Sequence, residues 1–288
     1  MFKSSRQYSL LIFTFFLLLT NVFLVSLDWK NSHQGLTFAM LDVGQGDALF
    51  IESPTGAQIM FDGGPARRVL GPLARAMSPF DKSIDAIVIT NPDADHIGGF
   101  LDILKNYEVG GVFEPGALTD SKTYQNLKTE IKKQNIPDVL VRKGMKLDIG
   151  GGAVIEILFP DRDVSEWATN DGSVVARLSY GNTSIMLTGD ATLKTEKIIL
   201  KENSKARLKS DILKVGHHGS RTSSSESFVE AVAPLYALIS DGKDNKYGHP
   251  HQETLNTLTK FGAQIFRTDL FGAIIIKCDT IGQCKIKK

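Results

Sequence analysis

The sequence predicts an α/β fold built as a four-layer αβ/βα sandwich, and three observations predict it. Short apolar strands alternate with amphipathic helices instead of segregating from them. Each cluster of polar, chemistry-bearing residues falls where an apolar run ends, so strand tips carry the chemistry. The order of strand meander, polar loop and helix then occurs twice, in two similar halves. The 288 residues, 42% hydrophobic and 23% charged, supply ample core for such a sandwich plus a short appendage. The 33 basic and 32 acidic residues nearly cancel, which excludes bulk positive charge as a route to nucleic acid; any basic surface must be local.

The appendage comes first. From Gln7 to Leu27 no charged residue occurs, and Leu10 to Leu19 is almost wholly apolar. At about 1.5 Å per residue such a helix reaches roughly 30 Å, which predicts one transmembrane helix. Lys3 and Arg6 precede it, while Asp28 and Lys30 follow and cancel, so the N-terminus is expected in the cytoplasm. The expectation is a single-pass protein of the cell membrane with its C-terminal domain extracytoplasmic. No Ala-x-Ala-like cleavage site follows the apolar run, which argues against a removed signal peptide. Residues 1–30 are thus read as the anchor, 31–35 as a linker and 36–288 as one domain.

The domain opens as a hairpin meander. Leu36 to Leu41 alternates, breaks at Asp42-Val43-Gly44-Gln45-Gly46-Asp47, resumes over Ala48 to Glu52, and returns over Gln58 to Phe61. Asp62-Gly63-Gly64 ends it, and Asp62 is placed either to orient a neighbouring loop or to cap one. A helix is expected over Ala66 to Met77. The apolar run Ile84 to Ile89 then delivers Asn91-Pro92-Asp93-Ala94-Asp95-His96-Ile97-Gly98-Gly99 to a strand tip, before a helix over Phe100 to Tyr107. Asn91, Asp93, Asp95 and His96 are four candidate ligands within six residues. Carboxylates packed so tightly repel unless a cation holds them, and a divalent ion answers that need.

The second half repeats the order. A helix over Lys122 to Gln134 precedes strands at Val139 to Val141, Lys146 to Ile149 and Val154 to Phe159, read together as a second meander. Asn170-Asp171-Gly172-Ser173 leads into strands over Val174 to Tyr180 and Ser184 to Leu187, which end at Thr188-Gly189-Asp190. A helix follows over Thr192 to Leu200. The strand Asp211 to Val215 ends at Gly216-His217-His218-Gly219-Ser220, and two adjacent histidines at a strand tip suit ligation better than a core. The hydroxyls of Ser220 and Ser223 suit phosphate oxygens, and those around Ser223 also suit capping the helix Ser225 to Val232. Leu235 to Ile239 leads to Tyr247-Gly248-His249-Pro250-His251, then a helix and two last strands. Cys278 and Cys284 flank a turn signal and would staple a hairpin outside the cell or stay reduced in the cytosol.

Several of these phrases together resemble the metallo-β-lactamase superfamily. The loop from Thr90 to Gly99 is similar to its first metal motif, with Asn91 where the general pattern has His. Asp-Val-Gly-Gln-Gly-Asp, Thr-Gly-Asp, His-His-Gly-Ser and Gly-His-Pro resemble the hydrolase domain of competence proteins of the ComEC/Rec2 type. The resemblance implies one or two divalent metal ions, Zn or Mn. Asn91 and Asp93 would hold one, and Asp95, His96 and His217 the other, with Asp190 bridging and Asn170 or Asp171 where relatives place a third His. His218 would support from behind or face a phosphate; Asp95 and His249 would act in catalysis; His218, Ser220, Ser223 and His249 would meet substrate. An amide oxygen at Asn91 is a weaker, harder ligand than imidazole. The implied function is a membrane-anchored phosphodiesterase or nuclease acting on single-stranded DNA during uptake, beside a separate channel protein. An esterase or phosphodiesterase on envelope lipid, choline phosphate or lactone is the alternative, and a binding module that has lost a metal through Asn91 is another.

Overall fold

The computed structural model describes the backbone of residues 3–32 and 35–287, and the side chains of 8–23 and 35–287. The chain forms two compact units, Met1–Gln34 and Gly35–Lys288. The first is a helix, Lys3–Ser32. The expected membrane span is not found: among the described residues no helix is long and apolar enough to cross a membrane. Of the expected linker, residues 31 and 32 end this helix, and 33 and 34 lie outside the described residues.

The second unit is a sandwich of two sheets with helices outside both. The eight-stranded sheet runs Cys284–Lys287, Ile274–Cys278, Thr37–Met40, Leu49–Glu52, Gln58–Phe61, Ala86–Val88, Val112–Glu114, Asp138–Leu140. The seven-stranded sheet runs Gln264–Arg267, Tyr236–Ile239, Ile212–Lys214, Thr183–Leu187, Val175–Tyr180, Ala153–Phe159, Lys146–Gly150. Each half makes antiparallel hairpins first and then adds parallel strands: Gln58–Phe61 pairs parallel with Ala86–Val88, and Thr183–Leu187 parallel with Ile212–Lys214. The internal similarity seen in the sequence is therefore a similarity of topology.

The period-2 alternation of these strands sorts their side chains into three cores. Phe38, Met40, Val88, Ile185, Leu187, Ile212 and Leu238 face between the sheets. Their neighbours Ala39, Leu41, Ile87 and Ile89 pack outward, under Leu73, Phe100, Ile103 and Leu127 of the first half's helices. Met186, Leu213, Ala237 and Ile239 do the same under Ile199, Phe228, Val232 and Leu258. Central strands buried on both faces read as continuous apolar runs, which is why they lack a polar face.

The strand expected at Val139 to Val141 belongs elsewhere than predicted. It is Asp138–Leu140, and it pairs parallel with Val112–Glu114 at the edge of the first sheet, not with the second meander. All three of its residues are exposed, the pattern of an edge strand. Cys278 and Cys284 lie directly opposite each other in the last hairpin and are disulfide-bonded.

Candidate metal centre

Polar loops at the C-terminal ends of the parallel strands of both sheets meet at one rim. Their approach is close enough to require glycine in two places. A Cβ on Gly46 would sit 2.2 Å from the Asp95 carbonyl oxygen, and one on Gly189 would sit 2.6 Å from Thr90 Oγ1. Gly189 also has a φ of +49°, a conformation other residues adopt at a cost. His217 and His218 pay that cost in succession, with φ of 48° and 53°. Two consecutive strained non-glycine residues persist where the surroundings over-determine them, as at functional sites.

Two buried histidines are aimed inward by what holds their other nitrogen. His96 Nδ1 lies 2.8 Å from Asp62 Oδ2, and Asp62 also accepts from Thr90 N at 2.8 Å and from Thr90 Oγ1. His218 Nδ1 lies 2.8 Å from the Ser240 carbonyl oxygen, whose acceptor role makes Nδ1 the protonated nitrogen. Both Nε2 atoms are thereby left pointing at carboxylates. His96 Nε2 is 3.1 Å from Asp190 Oδ2, and His218 Nε2 is 3.5 Å from Asp95 Oδ2 and 3.7 Å from Asp190 Oδ1. One ligand atom each from Asp95, His96 and His218 can be chosen within 4.8 Å of one another.

His96 Nε2, His218 Nε2 and Asp190 Oδ1 are all buried without a hydrogen-bond partner. Leaving one such atom unsatisfied costs about 1–3 kcal/mol, so three converging on one point need a common partner. Two imidazole nitrogens with two carboxylates suit a divalent ion. The charges agree. Burial opposes ionisation of His218, but Asp190 and Asp47 raise its pKa to about 10. Burial likewise opposes His96, yet Asp190 and Asp62 hold it well above the usual histidine range. Asp190, despite burial, is held well below the usual carboxylate range by His96 and His218. The site's negative potential demands positive charge at this point, which protons or a cation can supply.

Beneath the centre lies a pair that reading the sequence for ligands missed. Lys214 is fully buried and its Nζ forms an ion pair with Asp47 Oδ2 while donating to the Gly189 carbonyl oxygen at 2.9 Å. Asp47 in turn lies 3.5 Å from His218 Nδ1 and 3.8 Å from His96 Nδ1. A lysine inside the apolar run Ile212 to Val215 was the available signal.

The remaining expected site residues are placed as follows. Asp93, Asp95, Asn170, Asp190, His217, His218 and His249 line one cavity of about 200 Å³, with Gln45 and Tyr247. The two adjacent histidines sit at different depths. His218, expected to support from behind or to face a phosphate, is in the inner group; His217, expected as a ligand, is at the rim, with Nδ1 3.0 Å from Thr222 Oγ1 and Nε2 3.7 Å from Asp190 Oδ2. Asn91 is fully buried and hydrogen-bonded at both ends of its amide, to Asn170 and to the Asp93 backbone. Asp171 turns away to Thr192 and Lys194. Ser220 and Ser223, expected to meet substrate, are buried and outside the cavity lining: Ser220 Oγ lies 3.0 Å from Thr222 Oγ1, and Ser223 Oγ donates to the Ala191 carbonyl oxygen. The loop needs those hydroxyls to hold its own backbone. His249 stands between Tyr247 and His251, and burial plus the neighbouring His218 and His217 push its pKa down to about 4.

A sandwich with a carboxylate and imidazole centre at the rim where its sheets meet defines a metal-dependent hydrolase. Residues 41–240 match the metallo-beta-lactamase superfamily. The chain belongs to that superfamily. It is 31% identical over 252 residues to ComE operon protein 3 of Bacillus subtilis, covering 82% of this chain and 32% of that protein. It is 29% identical over 238 residues to Recombination protein 2 of Haemophilus influenzae, covering 81% of this chain and 28% of that one. The chain thus spans about a third of the length of the curated relatives it matches. Among solved structures it superposes on Igni18, a metallo hydrolase from Ignicoccus hospitalis, with TM-score 0.54 at 13% identity, covering 88% of this chain and 99% of that one.

Proposed function

We propose that this metal-dependent hydrolase is a phosphodiesterase acting on DNA. The observation that carries the reading is a groove of about 570 Å³ beside the cavity, lined by Gly44, Gln45, Arg68, Lys243 and Asn245 among others. Gln45 lines both spaces. Arg68 lies against Gly44, and neither Arg68 nor Lys243 makes an ion pair within the described residues. Unpaired cations beside a hydrolytic centre suit a chain of phosphates better than a neutral ester or lactone. The kinship with proteins named for competence and recombination supports the same reading.

Asp95, His96, His218 and Asp190 would hold the ion, which supplies a Lewis acid at a phosphoryl oxygen and a lowered pKa for water. The donor set contains no thiolate, which leaves Mn²⁺ beside Zn²⁺ as a fitting ion. Asp62 and the Ser240 carbonyl keep His96 and His218 in the tautomer that presents Nε2. Asp95, at the cavity wall, orients the reacting group. His249, held neutral, offers an imidazole hydrogen bond to a substrate oxygen at neutral pH. Arg68 and Lys243 hold flanking phosphates and fix the register of the strand.

The helix Lys3–Ser32 exposes Leu10, Phe13, Phe16 and Leu18. That apolar surface supports attachment of the protein to a membrane surface. The test of function uses the full chain with Mn²⁺ or Zn²⁺ on labelled single-stranded DNA, a small phosphodiester, a phosphocholine ester and a lactone. Metal-dependent cleavage of DNA is expected. Turnover of the lactone or choline ester with DNA left intact would overturn the proposal.

A further inference from the structure

We infer that Tyr247 is a platform on which one nucleobase stacks beside the scissile phosphate, so that the DNA cleaved is single-stranded at that point. The inference rests on reading the domain as a phosphodiesterase acting on DNA. It deepens that reading by giving the bases of the substrate a place.

Three aromatic rings step outward from the centre. His218 is buried, His249 is half-buried and Tyr247 is 52% exposed. His249 lies at 29° to His218 with ring centroids 6.3 Å apart, and at 22° to Tyr247 with centroids 5.7 Å apart. His217 and His251 meet His249 edge-on, at 73° and 72°. These are the geometries of offset stacking and of edge-to-face contact. Tyr247 is the outermost ring of a series whose innermost member points at Asp95 and Asp190. An exposed aromatic elsewhere on a surface would need no explanation. This one stands in the cavity wall.

The loop that carries it is fixed from within. Asn245 Nδ2 donates to the Gly242 carbonyl oxygen at 2.9 Å and to the His249 carbonyl oxygen at 2.7 Å. Its Oδ1 accepts from Tyr247 N at 3.2 Å and from His249 N at 3.0 Å. One side chain thus spans the loop and sets the backbone of both rings. The start of the loop seats against Gln45: a Cβ on Gly242 would sit 2.6 Å from Gln45 N, and Gly242 N donates to Gln45 Oε1 at 3.3 Å. The same loop therefore lines the basic groove with Lys243 and Asn245, and the cavity with Tyr247 and His249.

Size decides where a base can go. At about 200 Å³ the cavity falls below the roughly 300–1,000 Å³ of pockets that enclose a whole small ligand. It takes the phosphodiester group, and the attached bases lie outside it, where Tyr247 stands. Besides His249, Lys246 Nζ lies 5.0 Å from the Tyr247 ring centroid, on an exposed side chain that can leave the ring for a phosphate. Stacking on an aromatic ring tolerates any sequence, because every base has a π face. Inside a duplex both faces of a base are covered by the adjacent pairs, whereas a single strand can offer one. Tyr247 thus selects unpaired DNA without reading its sequence.

The full-length protein, loaded with Mn²⁺ or Zn²⁺, is assayed on three labelled substrates: a single strand, an abasic sugar–phosphate strand of the same length, and a blunt duplex. The wild type should cleave the single strand with a KM about 10-fold below that for the abasic strand, which is within what one base–aromatic stack contributes, and should cleave the duplex poorly. In Tyr247→Ala the KM for the strand with bases should rise about 10-fold toward the abasic value, with kcat little changed. Tyr247→Phe, which keeps the ring face and loses the hydroxyl, should keep the low KM. A strand carrying 2-aminopurine at successive positions reports the stack directly. In stopped-flow mixing its fluorescence should fall at one position with the wild type and Tyr247→Phe, and at none with Tyr247→Ala. Equal KM values with and without bases, a duplex cleaved as readily as the single strand, or a Tyr247→Ala effect of the same size on both strands would each overturn the inference. Absence of DNA cleavage by the wild type instead overturns the underlying reading, so the two failures are distinct. Tyr247→Leu, with bulk but no ring face, takes the place of the alanine variant should circular dichroism show that one unfolded.

Discussion

Replacing Lys214 by Met tests whether the layer beneath the centre is held electrostatically. Lys214 is 0% exposed and Asp47 is 1% exposed, and their ion pair has no access to water. Removing one partner of such a pair strands the other charge, at a cost of about 3–5 kcal/mol. The Gly189 carbonyl loses its donor as well. At roughly 2–4 °C per kcal/mol for a domain of this size, the thermal midpoint should fall by about 6–20 °C. The measurement is calorimetric unfolding in the presence of divalent ion, so that His96 and His218 do not offset the stranded Asp47 with protons. Asp47→Asn in the same background should restore part of the loss, giving a coupling energy above about 2 kcal/mol in the double-mutant cycle. A Lys214→Met protein that melts within a degree or two of wild type would refute the argument.

Three further outcomes follow from the site and its surroundings. His218→Ala should leave the purified protein without metal, whereas His217→Ala, lacking only a rim group, should retain it; elemental analysis of the two variants decides, and the reverse order would restore the assignment first expected. Arg68→Ala should weaken single-stranded DNA binding at all sequences alike and lower the salt dependence of log K by about 0.7, one phosphate contact, in fluorescence titrations across salt concentrations. Asp241 is raised to about 7 by burial and then by Asp269, against Arg267. A carboxyl raised in the folded state contributes stability fully present at low pH and lost as pH rises through about 7. Asp241→Asn should therefore raise the thermal midpoint at pH 8 and leave it unchanged near pH 4.

The layers were legible because strand periodicity is local: Ile84 to Ile89 and Leu235 to Ile239 announce buried strands wherever they pair. Their partners were not. Asp138–Leu140 has the composition of a strand but nothing in its residues states which sheet it joins, and chain order suggested the wrong one. The site divides in the same way. Asp95, His96 and Asp190 stand out by residue type and position at strand ends. The choice between His217 and His218 depends on two left-handed backbone conformations that point one ring inward and the other to the rim, and adjacent identical residues carry no signal of that. For Ser220 and Ser223 the sequence leaves two roles open, because a hydroxyl near a polar loop serves backbone or substrate equally well until the burial is known.

The pairing of Thr37–Met40 with Ile274–Cys278 bears on how the domain folds. Residue 37 finds its neighbour at residue 277, so one side of the first strand stays unpaired until nearly the whole domain has been synthesised. Contacts so distant in sequence slow folding, because loop closure comes before any reward. Until then the apolar edge Thr-Phe-Ala-Met is open to pairing with another nascent chain. A chain stopped short of the last strands would therefore leave that edge uncovered, as an aggregation-prone half-sandwich.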